Sequence, residues 1–372
     1  MPSALFRLAS LTAALFIAMS PMHAQAAAQA MQPDTALSAA DRREVVDTLA
    51  QHLRARYVFP DRAEKLATRL VGRARHGDYE GAKTIEAFAE ALSHDLREFG
   101  DDGHFRVDFD PEFDPARESE DHVPTAEEAA QRRAEMAQWG YGISRTQRLP
   151  GNIGYLDLRG FGPTEMVGAA YDAAITLLAG TDALVLDLRS NGGGEPESVS
   201  YLLSHFFAEG DRRHLNDLYN RPSNRTREYW TTSFVPVRYL KPITVLTSKF
   251  TFSGGEECAY DLQTQKRATL IGETTGGGAH PGEGVALGHG LVAFVPNGRA
   301  INPITHTDWE KVGVKPDIAL PAADAMKAAY LGLLEDRLKA AKGPQEQGAL
   351  QDVLQRARAG EIELPGYTPP RR

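Results

Sequence analysis

The alternation of hydrophobic and polar positions changes period along the chain and predicts three textures. From Ser38 the residues Val45, Val46, Leu49, Leu53 and Tyr57 recur on one side of a helix behind a cap-like Ser38/Asp41 pair, until Pro60 stops it. A second helix through Leu66 and Leu70 ends near Gly72 or Gly77, and a third, capped by Thr84, carries Ile85, Phe88, Leu92 and Leu96. In FGDDGHFRVDFD the period drops to two, with Phe105, Val107 and Phe109 alternating as in a strand. Residues 111–135, rich in Pro, Asp, Glu and Arg, have no hydrophobic period and read as an acidic connecting loop. Beyond it NIGYLDLRGF, DALVLDLRS, PITVLTS, ATLIGE and LVAFVP are short apolar runs with helical stretches between several of them, which predicts a mixed α/β core with buried strands. A last helix from Asp324 to about Ala341 presents Met326, Tyr330, Leu333, Leu334 and Leu338. The resulting division is a leader at 1–26, a helical domain at 27–100, a strand and acidic loop at 101–150, a core at 151–342 and a polar, loosely held tail at 343–372.

Composition narrows the class. With 372 residues, 42% hydrophobic and 24% charged, the chain can build one large core or two domains. A net charge of -9 with both signs interspersed argues against a nucleic-acid partner, which calls for a concentrated basic face. At the start, Arg7 precedes an apolar run from Leu11 to Met19, and Ala24-Gln25-Ala26 offers a small-residue cleavage site. The run is well short of the roughly 20 residues that span a bilayer, so a cleaved signal peptide and a periplasmic or secreted protein without a stable membrane span are expected. Cys258 is the single cysteine, so no intramolecular disulfide can form; inside a helix it reads as a small buried residue rather than a thiol nucleophile.

Two glycine-rich junctions could carry chemistry. In TFSGGEECAYDLQ, Ser253 stands before a helix with Glu256 three residues on, which suits either an N-cap or a nucleophile at a turn whose free amides favour a developing oxyanion. In VLDLRSNGGGEPESVSYLLSHFF, three glycines follow the buried strand Leu184–Leu188, and the N–H groups of Gly193 and Gly194 could face an anion or a carbonyl oxygen. No phosphate-loop or dinucleotide pattern is present, so a nucleotide cofactor is not indicated. A serine needs a base, and among 11 histidines His104 stands out in the turn FGDDGHF. His280, in GETTGGGAHPGEG, is the second candidate, its loop a possible cleft wall with Gly277 and Gly278; Glu310, in HTDWEKVGVKPD, is the carboxylate to connect to His104.

Taken together, DLRSNGGG, TFSGGEECAYDLQTQKRATLIGETTGGGAHP and WEKVGVKPDI resemble the tail-specific, or C-terminal-processing, serine peptidases with the tricorn-type core. The nearest branch is the one that includes the modules of interphotoreceptor retinoid-binding protein, and the resemblance runs from about Ser38 to Leu320. It implies a ClpP/crotonase-like ββα catalytic core under an N-terminal helical cap, Ser253 as nucleophile, His104 as base, Glu310 as its carboxylate, and Gly254 with Gly193 as oxyanion donors. Gly194, Gly277, Gly278 and His280 would line the substrate cleft. The resemblance further implies a polypeptide substrate and neither metal nor cofactor. The chain departs from the pattern in two places: Gly278 occupies the lysine position of the Ser-Lys branch, and Gly103 stands where tricorn-type sites carry a serine. Between His104 and Ile153 there is room only for the acidic loop and a short helix, so no PDZ domain is expected. Two other readings use the same fold: a non-catalytic carrier of apolar ligands such as retinoid or fatty acid, and a crotonase-like acyl-thioester enzyme, for which no coenzyme A site is recognisable.

Overall fold

A computed structural model describes residues 37–116 and 124–370; the leader expected at 1–26 lies outside the described residues. Helix α1 (Ala39–Arg56) starts on a reciprocal cap, the Ser38 hydroxyl accepting the Asp41 N–H and the Asp41 carboxylate accepting the Ser38 N–H. Helix α2 (Pro60–His76) starts on a proline, whose missing N–H costs nothing in a first turn, and ends on left-handed Gly77. Helix α3 (Ile85–Gly100) is capped by Thr84 and leads into strand β1 (Arg106–Phe109). Within the stretch read as a loop, α4 (Ala126–Gln138) forms on a Thr125/Glu128 capping box. None of its residues is buried, which is why it shows no hydrophobic period.

The remaining elements follow in order: β2 (Ile143–Leu149), β3 (Ile153–Leu158), α5 (Thr164–Leu178), β4 (Ala183–Asp187), α6 (Pro196–Ser204), β5 (His214–Asn220) and β6 (Arg225–Trp230). Then come β7 (Ile243–Thr247), α7 (Gly254–Thr264), β8 (Thr269–Gly272), β9 (Gly282–Gly288), β10 (Leu291–Pro296) and β11 (Gly298–Ile301). The chain ends through β12 (Ile318–Ala319), α8 (Ala322–Ala340) and α9 (Pro344–Ala359).

The central sheet has the order β12-β8-β7-β4-β3-β2, parallel except for β2. Every residue of β4 is buried. Leu184 and Leu186 pack with α5, α6 and α7, whereas Ala183 and Val185 face the core completed by α8 and α9, so the strand reads as one unbroken apolar run. The helices α1, α2 and α3 do not close a core by themselves: Val285, Leu287, Leu291, Ala293 and Val295 of β9 and β10 complete it, and β1 pairs with β10. The boundary expected at residue 100 is therefore crossed by a shared core. The tail also differs from expectation, because α9 buries Leu350, Leu354 and Ala357 against the α8 layer, and the Tyr367 hydroxyl donates to Ser248 Oγ at 3.1 Å. Among the described residues no helix is long and apolar enough to cross a membrane.

Candidate active site

The two glycine turns leave the same edge of the sheet, because β4 and β7 are adjacent and parallel. Hydrogen bonds continue the contact past the strand ends. Ser248 Oγ donates to the Arg189 carbonyl (2.6 Å), Thr251 Oγ1 to that of Leu188 (2.7 Å), and the Phe252 N–H to that of Asn191 (3.0 Å). Ser253 is thereby pressed against the NGGG turn so closely that a Cβ on Gly193 would lie 2.7 Å from Ser253 Cβ. Ser253 is half-buried and sits at φ 52, ψ −123, whereas an ordinary N-cap occupies the β region. A non-glycine residue held at such an angle is strained, and strain of this kind concentrates at functional turns.

Two amides flank that hydroxyl without partners among the described hydrogen bonds. One is the Gly254 N–H, a first-turn helix donor with no intrahelical acceptor. The other belongs to Gly194, whose nitrogen lies 3.1 Å from where a Gly254 Cβ would stand. This corrects the expected donor, since the Gly193 N–H already donates to Asn191 Oδ1 at 2.8 Å. The Phe161 N–H to Gly193 carbonyl and Glu195 N–H to Phe161 carbonyl bonds hold the turn from below, and a Cβ on Gly194 would lie 1.9 Å from the Phe161 oxygen.

The glycine loop after β8 serves as support, and Glu256 ties it down. The Glu256 carboxylate accepts from Thr275 Oγ1 (2.5 Å), the Gly277 N–H (2.6 Å), the Gly278 N–H (2.7 Å) and the Ser253 N–H (3.0 Å). Burial pushes this carboxyl up to about 7 against the pull of those donors. Gly277, Gly278 and His280 are consequently buried and do not line an open cleft as expected; of the four residues assigned to it, Gly194 alone is exposed. A Cβ on Gly278 would lie 2.2 Å from Phe252 Cζ and 2.6 Å from His104 Cε1, so this glycine is required by the approach of the two rings.

His104 sits at the turn between α3 and β1 with its ring tilted against Phe252, the residue before Ser253, at a centroid distance of 4.6 Å. It is buried, and neither ring nitrogen has a hydrogen-bond partner among the described residues. The carboxylate beside it is Asp102, which the sequence reading passed over. Asp102 Oδ1 accepts the His104 N–H (3.1 Å) and lies 3.7 Å from His104 Nδ1. Its other oxygen faces His280 Nδ1 at 2.7 Å and the Tyr57 hydroxyl at 3.4 Å. Glu310 does not reach His104 directly: its Oε2 accepts the Ala279 N–H (2.7 Å) and lies 3.4 Å from His280 Nδ1. The four groups form a chain Glu310–His280–Asp102–His104. An aspartate accepting the N–H two residues on is a turn signature, so DDGH carried the signal, but it did not tell inward Asp102 from exposed Asp101, which pairs with Lys311.

Burial alone would raise Asp102, but the neighbouring imidazoles of His104 and His280 outweigh it and hold its carboxyl well below the usual range. Burial opposes a charged His280 and is likewise outweighed by Asp102, which lifts that imidazole above its ordinary value. Glu310 is pushed up to about 7 by burial and then by the Asp102 charge. Asp102, His280 and Glu310 offer three potential metal-ligand atoms within 4.8 Å of one another, yet the Asp102–His280 hydrogen bond already joins the facing atoms. Cys258 is fully buried in α7 and burial drives its thiol far up, which removes it as a nucleophile.

Two family profiles cover successive parts of the chain: peptidase family S41 over residues 152–320, and the N-terminal domain of peptidase S41 in eukaryotic IRBP over residues 27–139. The chain belongs to peptidase family S41. It is similar to carboxyl-terminal-processing peptidase 2 of Arabidopsis thaliana, with 32% identity over 209 residues covering 52% of this chain and 38% of that one. The chain spans 31% to 38% of the length of three curated relatives that it matches. Its fold is similar to that of a peptidase structure from Parabacteroides merdae, with TM-score 0.56 at 18% identity over 81% of this chain and 99% of that one. It is also similar to mature CPAF complexed with lactacystin, with TM-score 0.53 at 13% identity over 84% and 99%.

Proposed function

We propose that the chain is an exported serine peptidase, an endopeptidase or C-terminal peptidase, that cleaves polypeptides through an acyl-enzyme. The observation that carries this reading is the strained Ser253 turn, flanked by two free amides, packed through Phe252 against an imidazole with unpartnered nitrogens. Ser253 attacks the peptide carbonyl while His104 takes its proton; the Gly254 and Gly194 amides receive the oxyanion, and His104 then protonates the leaving amine. Water bound in place of the amine is deprotonated by His104 and releases the second product. The contact between His104 and the serine hydroxyl closes when substrate is bound, as such contacts commonly tighten only in the complex. Asp102 holds the imidazole and stabilises its charged form, the role generally played by a triad carboxylate. No metal or nucleotide takes part in this scheme.

Support for the carrier reading would require an apolar cavity. The groove between α2 and α3, about 430 Å³, sets Tyr79, Ala91 and Phe99 among the charged or titratable Arg69, Arg73, Asp78, His94, Asp95 and Glu98, which does not make the wholly apolar wall such a ligand calls for. Hydrolysis of a panel of denatured proteins tests the enzyme reading: Ser253→Ala and His104→Ala should each reduce turnover by about 10⁴-fold or more. Turnover in Ser253→Ala equal to that of the unaltered chain overturns it. Export is tested by N-terminal sequencing of the mature protein, expected to start just after Ala26.

A further inference from the structure

We propose that His280 is a positioning residue whose imidazolium clamps Asp102 and thereby fixes the carboxylate orientation and charge that His104 meets. The inference rests on the peptidase reading above. Its basis is the division of labour between the two Asp102 oxygens. Oδ2 lies 2.7 Å from His280 Nδ1 and is capped by the Tyr57 hydroxyl, while Oδ1 takes the His104 N–H and faces His104 Nδ1 at 3.7 Å. Rotating the carboxylate to favour one imidazole would loosen the other, so the bond to His280 fixes what His104 meets.

The groups facing His280 come from every element around it. Tyr57 stands at the end of α1, the Phe59 ring meets the imidazole edge-on at 5.2 Å, and Arg62 of α2 lies over that ring. Asp102 and His104 come from the turn before β1, and Asp308 and Glu310 from the segment before β12. Carboxylates therefore dominate, and side chains only 3% exposed on His280 and fully buried on Asp102 leave little water to screen them. With His280 charged, the Asp102 negative charge that faces His104 Nδ1 is balanced from behind. With His280 uncharged or replaced, His104 faces an unbalanced carboxylate that holds the proton on it more tightly. Glu310, which touches His280 and not His104, meets the same Nδ1 atom at 3.4 Å and favours the charged form of that imidazole.

The test is the pH dependence of kcat/KM for the full chain and for His280→Gln, which keeps an N–H donor but removes the charge. The acid limb is expected to move to higher pH by about one unit, and the plateau to fall about three- to tenfold with KM unchanged. A uniform fall at all pH values, with the limb unmoved, would make His280 merely structural and overturn the clamp. Should His280→Gln fail to fold, ¹⁵N-histidine spectra of the unaltered protein decide the point. The His280 ring is expected to stay protonated at Nδ1 and Nε2 at pH 6.5, and a neutral ring there overturns the proposal. Fluorophosphonate labelling of the unaltered chain keeps the two readings apart: a labelled Ser253 with an unmoved limb rejects the clamp alone, and an unlabelled Ser253 rejects the peptidase site.

Discussion

Glu256 and Asp102 are both buried carboxylates beside the Ser253–His104 junction, and they are held in opposite ways. Glu256 is surrounded by neutral donors, one hydroxyl and three backbone amides, and its carboxyl is pushed up to about 7. Asp102 lies between two imidazoles and is held well below the usual range. Amide donors fix shape, tying the nucleophile turn to the glycine loop through bonds with sharp directions. Imidazoles fix charge, because a proton can pass to the neighbour and the carboxylate stays anionic. One knot holds the Ser253 turn, and the other holds the carboxylate that faces the His104 imidazole.

Substitutions can break each knot separately. Asp102→Asn should have the larger effect on chemistry, lowering kcat by about 10³-fold with little change in KM, because the amide can neither balance an imidazolium nor hold both histidines. Steady-state kinetics on a peptide substrate measures it, and a loss confined to KM would contradict the assignment. Glu256→Gln should lower kcat by about 10²-fold and stability by about 2–4 kcal/mol, since its –NH₂ would meet N–H donors that now find an acceptor. Chemical denaturation checks the second figure. Glu310→Gln should cost only about tenfold in kcat, because Glu310 touches His280 and not His104. An effect as large as that of Asp102→Asn would make Glu310, and not Asp102, the carboxylate that serves His104.

The smallest effect concerns stability against pH, to which Glu256 and Asp102 contribute with opposite signs. Glu256 has a folded value near 7 against an ordinary 4.5, so its contribution is complete below 4.5 and is lost as pH rises through about 7. His280 behaves likewise, its share being present below 6.5 and lost as pH rises through its raised folded value. Asp102 contributes above 3.8, and its share is lost as pH falls through its depressed folded value. Melting temperature should accordingly fall by a few degrees as pH rises from 4.5 to about 7, with a further loss above 6.5 as His280 gives up its proton, and Glu256→Gln should lose the part of that slope between 4.5 and 7.

These contrasts also show what the chain discloses by pattern. The helices α1 to α3 were legible because each buries a stripe of apolar residues behind a recognisable cap, and the turns at NGGG and SGG because each ends a fully buried strand. Exposed α4, with no apolar stripe, and α9, with three buried residues in a polar sequence, gave no comparable period. Polar β5 and β6 likewise lack the apolar runs that marked the central strands. Inside the site, spacing identified His104 and Ser253 as the candidates, yet it could not say which of Asp101 and Asp102 turns inward. Nor could it say that Asn191 already occupies the Gly193 amide, leaving that of Gly194 free. Such choices depend on contacts between segments far apart in sequence, including the 178-residue separation between Asp102 and His280.

The central claim is that the Ser253 hydroxyl is the nucleophile and the His104 imidazole its base. Its most direct test is to treat the full-length chain with a fluorophosphonate, locate the adduct by peptide mass mapping, and time its formation. The account predicts a single adduct on Ser253 that forms at least about 100-fold more slowly in His104→Ala. An adduct on another residue, or an unchanged rate in His104→Ala, would contradict it.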